Sequence, residues 1–500
     1  MKIQRVIGIW ISRYIFLIVA TFAANQLLAQ SSVKDVEKPE TNTFAEAAKI
    51  LSEYIQIPSL SGNENDAANY LINTCLNKGL FVEIISDSIS CVNFAASIYP
   101  LSSKKPNIIF LNHIDVVSAN SPETWKYPPF QGKIAENKVW GRGSFDNKGL
   151  AVVQLSAIER FINQARILDL PYNVTLLSVS GEETGGKNGS SIAARNFREV
   201  FTPAVVVGEG GSGIESSGFL PSKKTFFGIS VAEKGFLWLR LSCKINTDGH
   251  ASVAGNDYAL KRMVEALYRL TDKRQPIQTS KETKVMFTSL GKNIGGLKGF
   301  AVRHMNWWIF SPFLRNQFRQ NPELESIFCN KISISKVIDN GSGLNQNAQQ
   351  AEAILDCRYL PCTGPEAIIN LVKKTIKDTL IHISVINASA PQFSTKPDFF
   401  YSQLENSLKQ IFPEAKVSPI LFPASNDNSY FRSFGCPVYG LNPMIVSMQQ
   451  LKAIHNVDEF IDMEDIECGI NVFSHFLYSV QFSGLTPGSR NIADQRKIGH

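Results

Sequence analysis

Apolar residues recur at helical spacing over residues 44–55 and 64–76, after a polar stretch at 31–43. Beyond them the period changes: 81–85 and 107–111 have strand character, 148–161 is helical, and 174–179 and 204–207 are again strand-like. Such alternation predicts a doubly wound, mainly parallel α/β sheet. Near residue 226 the texture shifts. Two strand-like runs fall within 228–245, followed by a helix at 257–270, a strand at 351–358, a helix at 365–376 and a strand at 381–386. That order fits an inserted α+β domain of ferredoxin-like type. The α/β pattern then resumes with a helix at 401–411, a strand-like run at 438–441 and a last helix at 463–478; residues beyond about 484 read as a tail. The expected organisation is a main domain built from 40–225 and 389–484, interrupted by an insertion at 226–388.

Five hundred residues exceed one ordinary core, which agrees with two domains. At 44% hydrophobic and 19% charged the composition is that of a globular chain and excludes general disorder. The formal charge of +6 is small for this length, and no Lys/Arg run carries interleaved aromatics, so nucleic acid is excluded as a partner. At the N-terminus Lys2 and Arg5 precede an apolar stretch at 14–24, which ends in Leu27, Leu28, Ala29 and Gln30. This pattern predicts a signal peptide over 1–29. The stretch is well short of the roughly twenty residues a membrane helix needs. The mature chain is therefore expected in the periplasm or outside the cell, without a membrane span. An uncleaved N-terminal anchor is the rival reading. Eight cysteines without a CxxC pair argue against a cysteine metal site or a dense disulfide scaffold, and leave any pairing open. Asn173, Asn188, Asn340 and Asn387 begin glycosylation sequons.

In open α/β sheets, ligands bind beyond the carboxyl ends of the strands. The run at 107–111 leads into His113 and Asp115, that at 174–179 into Glu182 and Glu183, and that at 204–207 into Gly208 and Glu209. A Gly-rich loop, Gly141-Arg-Gly-Ser-Phe-Asp-Asn-Lys-Gly149, presents Asp146 just before a helix, and His455 precedes the last helix. Two histidines and three carboxylates suffice to hold two zinc ions if one carboxylate bridges them. Such a pair activates water and polarises a carbonyl. Asp115, two residues after His113, is placed to accept the ring N–H. The adjacent glutamates allow one to bind metal while the other moves a proton. Singly, each feature has an ordinary explanation: a strand end, a helix cap, a solvated charge pair. Their joint order at successive strand ends is what points to a metal centre.

The stretch His113-Ile-Asp-Val-Val, then Trp125, Pro129-Phe130, Gly132 and Trp140 to Gly149, resembles the two-zinc peptidase family of aminoacylase, carboxypeptidase S, acetylornithine deacetylase and succinyl-diaminopimelate desuccinylase, peptidase family M20. The similarity spans nearly the whole mature chain and is nearest the carboxypeptidase S and Gly-X carboxypeptidase branch. It implies that His113 and Glu209 hold one zinc, Glu183 and His455 the other, and that Asp146 bridges. It also implies that Asp115 orients His113, that Glu182 is the general base and later acid, and that the insertion is a lid and candidate dimerisation surface. Cobalt or manganese could replace zinc. Gly249-His250-Ala-Ser resembles the lid histidine motif, and Asn345 with Asp356-Cys-Arg358 resembles the segment that carries a substrate-binding Asn and Arg. The roles implied are a hydrogen bond to the reacting carbonyl for His250 and a carboxylate clamp for Arg358.

Two positions depart from the family pattern. Relatives near carboxypeptidase S usually have Asp where this chain has Gly208, and the segment Ser425-Asn-Asp-Asn-Ser-Tyr-Phe431 matches the expected Gly-Thr-Asp pattern only in part. Trp307, Trp308, Phe310 and Phe313 form an aromatic cluster in the insertion, either a buried or interface helix or a contact for a long acyl chain. The expected activity is cleavage of an amide or peptide bond beside a free C-terminal carboxylate, on a small peptide or an N-acyl amino acid. The alternatives are a deacylase of N-acyl amino acids, including fatty-acyl ones, and a metal-free binding domain on a peptidase scaffold.

Overall fold

In this computed structural model, residues 43–483 are described except for 87–90, 166–168, 196, 215–224, 247–254, 256, 273, 306–318, 321, 340–344 and 391. The predicted signal peptide, the tail, His250 and the Trp307, Trp308, Phe310, Phe313 cluster lie outside the described residues. One compact unit begins at Ala47. Its strands in chain order are β1 (Phe81–Ser86), β2 (Asn93–Ser97), β3 (Asn107–His113), β4 (Lys133–Ala135), β5 (Lys138–Trp140), β6 (Asn173–Val179), β7 (Pro203–Ile214), β8 (Phe226–Glu233), β9 (Gly235–Lys244), β10 (Lys331–Asp339), β11 (Gln350–Tyr359), β12 (Ile381–Ala388), β13 (Lys416–Phe422), β14 (Val438–Val446) and β15 (Phe460–Asp462).

The large sheet has the order β1-β2-β6-β3-β7-β14-β8-β13. Its middle is parallel, β6 with β3, β3 with β7 and β7 with β14, while β1, β2 and β6 are antiparallel neighbours. Every residue of β3 and of β6 is buried, as a sheet covered on both faces requires. Side chains alternate between the faces. Ile108 and Phe110 join one core with Leu150 and Phe473, whereas Ile109 and Leu111 join another with Phe197, Phe201 and Phe431. Helices Lys148–Ala165 and Met463–Phe482 supply the first cover, and the short helices Phe197–Phe201 and Asn428–Arg432 the second. The Phe110 ring lies 4.8 Å from that of Phe473, a contact whose burial stabilises by about 1.5–3 kcal/mol. The doubly wound α/β arrangement is thus present, with a mixed rather than purely parallel sheet.

β10-β11-β9-β12 form a second sheet, antiparallel throughout, and helices Ala259–Asp272 and Pro365–Ile376 pack on it through Met263, Leu267, Ile368 and Val372. The succession β9, helix, β10, β11, helix, β12 is ferredoxin-like. Two segments depart from the sequence expectation. β8, read as the first strand of the insertion, belongs to the large sheet, where it runs parallel to β13. The helix Lys281–Ile294 also leaves the ferredoxin-like unit and buries Met286, Phe287 and Leu290 against Phe226 of β8 and Leu421 of β13. β13 escaped the hydrophobic pattern because Pro419 sits inside it; a proline without an N–H is tolerated there because β13 is the sheet edge.

β7 is longer than the run at 204–207 predicted. Its register with β14 jumps between the pairs Gly208–Gly440 and Gly211–Leu441, which leaves Glu209 and Gly210 in a bulge. A Cβ at Gly210 would lie 2.5 Å from Ser230 Oγ and 2.8 Å from Gly440 Cα, so only glycine fits. Bulges re-aim side chains, and this one brings Glu209 level with the ends of β3 and β6. Among the described residues no helix is long and apolar enough to cross a membrane.

Candidate metal centre

His113 is the last residue of β3, Glu182 and Glu183 form the turn after β6, Glu209 is in the β7 bulge, Asp146 precedes helix Lys148–Ala165, and His455 precedes β15. These six, from five separate segments, converge. His113 Nε2 lies 3.2 Å from Asp146 Oδ1 and 3.6 Å from Glu209 Oε2. His455 Nε2 lies 3.3 Å from Asp146 Oδ2 and 3.2 Å from Glu183 Oε1. Asp146 therefore offers one oxygen to each histidine. Donor atoms of His113, Glu182 and Glu209 fall within 4.8 Å of one another, as do those of His113, Asp146 and Glu183.

Asp115 is fully buried and has a wider role than its spacing suggested. The ring Nδ1 of His113 is 2.9 Å from the Asp115 main-chain oxygen and 3.5 Å from its carboxylate. The carboxylate instead accepts the N–H of Glu182 at 3.0 Å, the N–H of Glu183 at 3.1 Å and the Ser61 hydroxyl at 2.6 Å. One side chain thus sets both the histidine and the diglutamate turn. Burial opposes its charge, but His113, Ser61 and the Glu182 amide outweigh that and hold the carboxyl below its usual range.

Sequence reasoning assigned no role to Asn147, Asn426 or Asn428, which surround Glu209. Asn147 Nδ2 donates to Glu209 Oε2 at 2.6 Å, and Asn426 and Asn428 donate to the Glu209 carbonyl at 3.1 and 2.8 Å. Asn428 also bears on the departure at Gly208. A Cβ on Gly208 would lie 2.1 Å from Asn428 Oδ1. The space that an Asp at 208 would need is filled by an amide from the divergent 425–431 segment.

The titratable groups of the cluster perturb one another strongly. Burial pushes the Glu183 carboxyl up to about 7 against the opposing pull of His455, and burial together with the Glu209 carboxylate raises Glu182 well above its ordinary value. Hydrogen bonds to Asp146 and Glu183 raise His455 to about 10, and carboxylate partners lift His113 despite its burial. The cluster brings the four carboxyl groups of Asp146, Glu182, Glu183 and Glu209 to two imidazoles, and oxygen with imidazole nitrogen is a donor set suited to divalent metals. The residues fit a metal pair.

The cluster opens into a cavity of about 990 Å3 that Asp146, Glu182, Glu183, Glu209, His455 and Arg358 line together with Phe236, Trp238, Met286, Ile327 and Leu421. Arg358 is thus brought to the site. Its Nε and Nη2 rest on the Asp356 carboxylate at 2.9 and 3.1 Å, with the guanidinium carbon 5.8 Å above the Phe236 ring. Asn345 is exposed in a turn and does not line the cavity; the placement of His250 is not described.

The probable carboxypeptidase S-like 2 of Dictyostelium discoideum is 24% identical over 384 residues, 76% of this chain and 72% of that protein. The human N-fatty-acyl-amino acid synthase/hydrolase PM20D1 is 24% identical over 429 residues, 83% of each chain. Among solved structures, the M20 family metallo-carboxypeptidase Sso-CP2 from Sulfolobus solfataricus superposes with a TM-score of 0.66 at 19% identity, covering 88% of this chain and 99% of that one, and so shares its fold. Residues 109–479, which carry every residue of the cluster, match the model of peptidase family M20/M25/M40, and the chain belongs to that family of metal-dependent peptidases and amidohydrolases.

Proposed function

We propose that this chain is an exported two-zinc amidohydrolase that cleaves an amide or peptide bond beside a free carboxylate. The observation that carries the reading is Asp146 between two histidines, one oxygen to each, at the mouth of a cavity that also contains an arginine. On this reading His113 and Glu209 hold one zinc, Glu183 and His455 the other, and Asp146 is shared. Bound there, the ions would supply Lewis acidity toward the scissile carbonyl and a water nucleophile at neutral pH. Glu182 takes the proton from the attacking water and returns it to the leaving amine. Asp115 fixes the Glu182–Glu183 turn so that this transfer has a defined geometry. His250 and Asn345, in the inserted lid, hydrogen-bond the substrate carbonyl and its neighbours when the lid closes over the domain that carries the metal ligands. Export rests on the N-terminal pattern of Lys2, Arg5 and the apolar stretch at 14–24.

Arg358 clamps the carboxylate of the leaving amino acid. Asp356 occupies one edge of its guanidinium, and Arg358 is among the residues that line the cavity. Arg358→Ala is expected to raise KM by about ten- to a hundredfold, the scale of one lost charge-assisted hydrogen-bond pair. C-terminal amides should be poor substrates for the wild type. Steady-state kinetics on matched acids and amides check this; equal kcat/KM for the two would remove the clamp.

The cavity walls favour a more specific reading, N-acyl amino acids with a long acyl group. Phe226, Met286, Ile327, Ile420 and Leu421 form an apolar surface beyond the polar cluster, and among the relatives PM20D1 is named for fatty-acyl amino acids. If the acyl chain lies there, kcat/KM should rise about threefold to fourfold per added methylene, since each buried CH2 contributes about 0.8 kcal/mol. A zinc-supplemented panel of N-acyl amino acids of increasing length, beside blocked dipeptides, measures this. A flat series with good dipeptide turnover would favour the carboxypeptidase reading.

A further inference from the structure

Two charged side chains that do not line the cavity face each other behind the site. Arg142 and Glu459 are each 1% exposed, and Arg142 Nη1 meets Glu459 Oε2 at 2.7 Å. Glu459 follows His455 by four positions, and Arg142 precedes Asp146 by four. Glu459 Oε1 accepts the N–H groups of Phe145 at 2.9 Å and Asp146 at 3.0 Å, and Oε2 also accepts that of Gly143 at 3.1 Å. The second arm of Arg142, Nη2, donates to the Asn456 carbonyl at 2.9 Å. The exchange is reciprocal. A side chain from the His455 segment holds the backbone that presents Asp146, and a side chain from the Asp146 segment holds the backbone beside His455.

The backbone on the His455 side is irregular. His455 and Asp458 have φ of 60° and 59°, a left-handed conformation that is uncommon for residues with a Cβ, although His and Asp enter it more readily than most. The strands next to these segments are also joined, Phe460 of β15 opposite Trp140 of β5, and Gly141 N–H donates to the Glu459 carbonyl at 2.9 Å. Removing either charge strands the other without its partner in a buried place.

We propose that Arg142 and Glu459 are positioning residues that clip the Asp146 and His455 segments into one rigid unit, so that this half of the metal centre is formed before metal arrives. The inference rests on the ligand roles proposed above for Asp146 and His455. Outer partners that fix ligands in this way change metal affinity by about ten- to a hundredfold. In Glu459→Gln one accepting oxygen becomes an NH2 group set against N–H donors. In Arg142→Lys the charge remains, but the second arm to Asn456 is lost.

Calorimetric zinc titration of the chelator-stripped full chain tests this, with circular dichroism and the thermal midpoint of each metal-free variant as controls. The wild type should bind two zinc ions. Both folded variants should bind zinc more weakly than the wild type, with the ion on the His455 side weakened by at least about tenfold. A folded variant with a lowered thermal midpoint and unchanged zinc affinities would reduce the pair to an ordinary structural role and overturn the proposal. Hydrogen exchange of the metal-free wild type gives a second result that needs no variant. Amides at 143–146 and 455–459 should be protected and open together; free exchange of both segments until zinc is added would also overturn it. If the wild type takes up no zinc, the ligand reading fails, and the exchange result still decides whether the clip exists.

Discussion

Glu182→Gln is expected to lower kcat by about two to four orders of magnitude, the scale of a positioned general base, while both metal ions remain bound. The expectation follows from the unequal surroundings of two neighbouring carboxylates. Glu183 meets His455 at 3.2 Å and lies in the cluster with Asp146 and His113. Glu182 lines the cavity beside it, with donor atoms within 4.8 Å of those of His113 and Glu209 but no contact to His455 like that of Glu183, and its proton affinity is raised by burial and by the Glu209 carboxylate. Gln keeps the size and one accepting oxygen but cannot take a proton. Glu183→Gln should differ, because a charged ligand becomes neutral and one metal is held less tightly. Metal content measured beside kcat for both variants separates the roles. Loss of metal from Glu182→Gln, with two ions kept by Glu183→Gln, would show the two glutamates to be exchanged.

Asp146→Asn is expected to be more damaging than the loss of any ligand that serves a single ion. The two oxygens of Asp146 lie 3.2 Å from one histidine and 3.3 Å from the other. An amide in its place keeps one accepting oxygen and turns the other into a donor, so the two ions lose their shared charge together. Metal stoichiometry should fall from two to one or none, and kcat/KM by about a thousandfold or more, since the charge stabilisation lost is several kcal/mol. Glu209→Gln, by contrast, should spare the His455 side. Metal analysis after dialysis and rates with excess zinc would check both. An Asp146→Asn enzyme with two ions and near-normal turnover would refute the shared-ligand assignment.

The parts of this fold that were legible in the sequence are those whose side chains have uniform surroundings. β3 and β6 are buried on both faces, so their apolar runs are nearly continuous, and the long helices Lys148–Ala165 and Met463–Phe482 each cover one face of the sheet. β13 was not legible, because Pro419 argues against a strand unless the strand is known to be at an edge, which only tertiary structure reveals. The membership of β8 was hidden for a related reason. A strand on its own does not say which of two sheets it joins, and only Lys234 separates β8 from β9. At the site, the residue types and their strand-end positions pointed to His113, Asp146, Glu182, Glu183, Glu209 and His455. The bulge at Glu209, and the attachment of Asp115 to the diglutamate turn, depend on hydrogen bonds across about seventy residues or more and left no local trace.

The contact between Gly208 and Asn428 has a consequence for any attempt to move this chain toward its carboxypeptidase S-like relatives. An Asp placed at 208 would strike Asn428, whose amide holds the Glu209 carbonyl. Shrinking Asn428 first would release that carbonyl and leave a void over Gly208. Each single change is a step down, so a saturation library that varies one position at a time would score both as immutable. A paired exchange removes the clash, while Asn426 still donates to the Glu209 carbonyl. The two positions, distant in the chain, are thus tied by one contact, so a graft that brings in Asp at 208 has to bring its own residue at 428 with it.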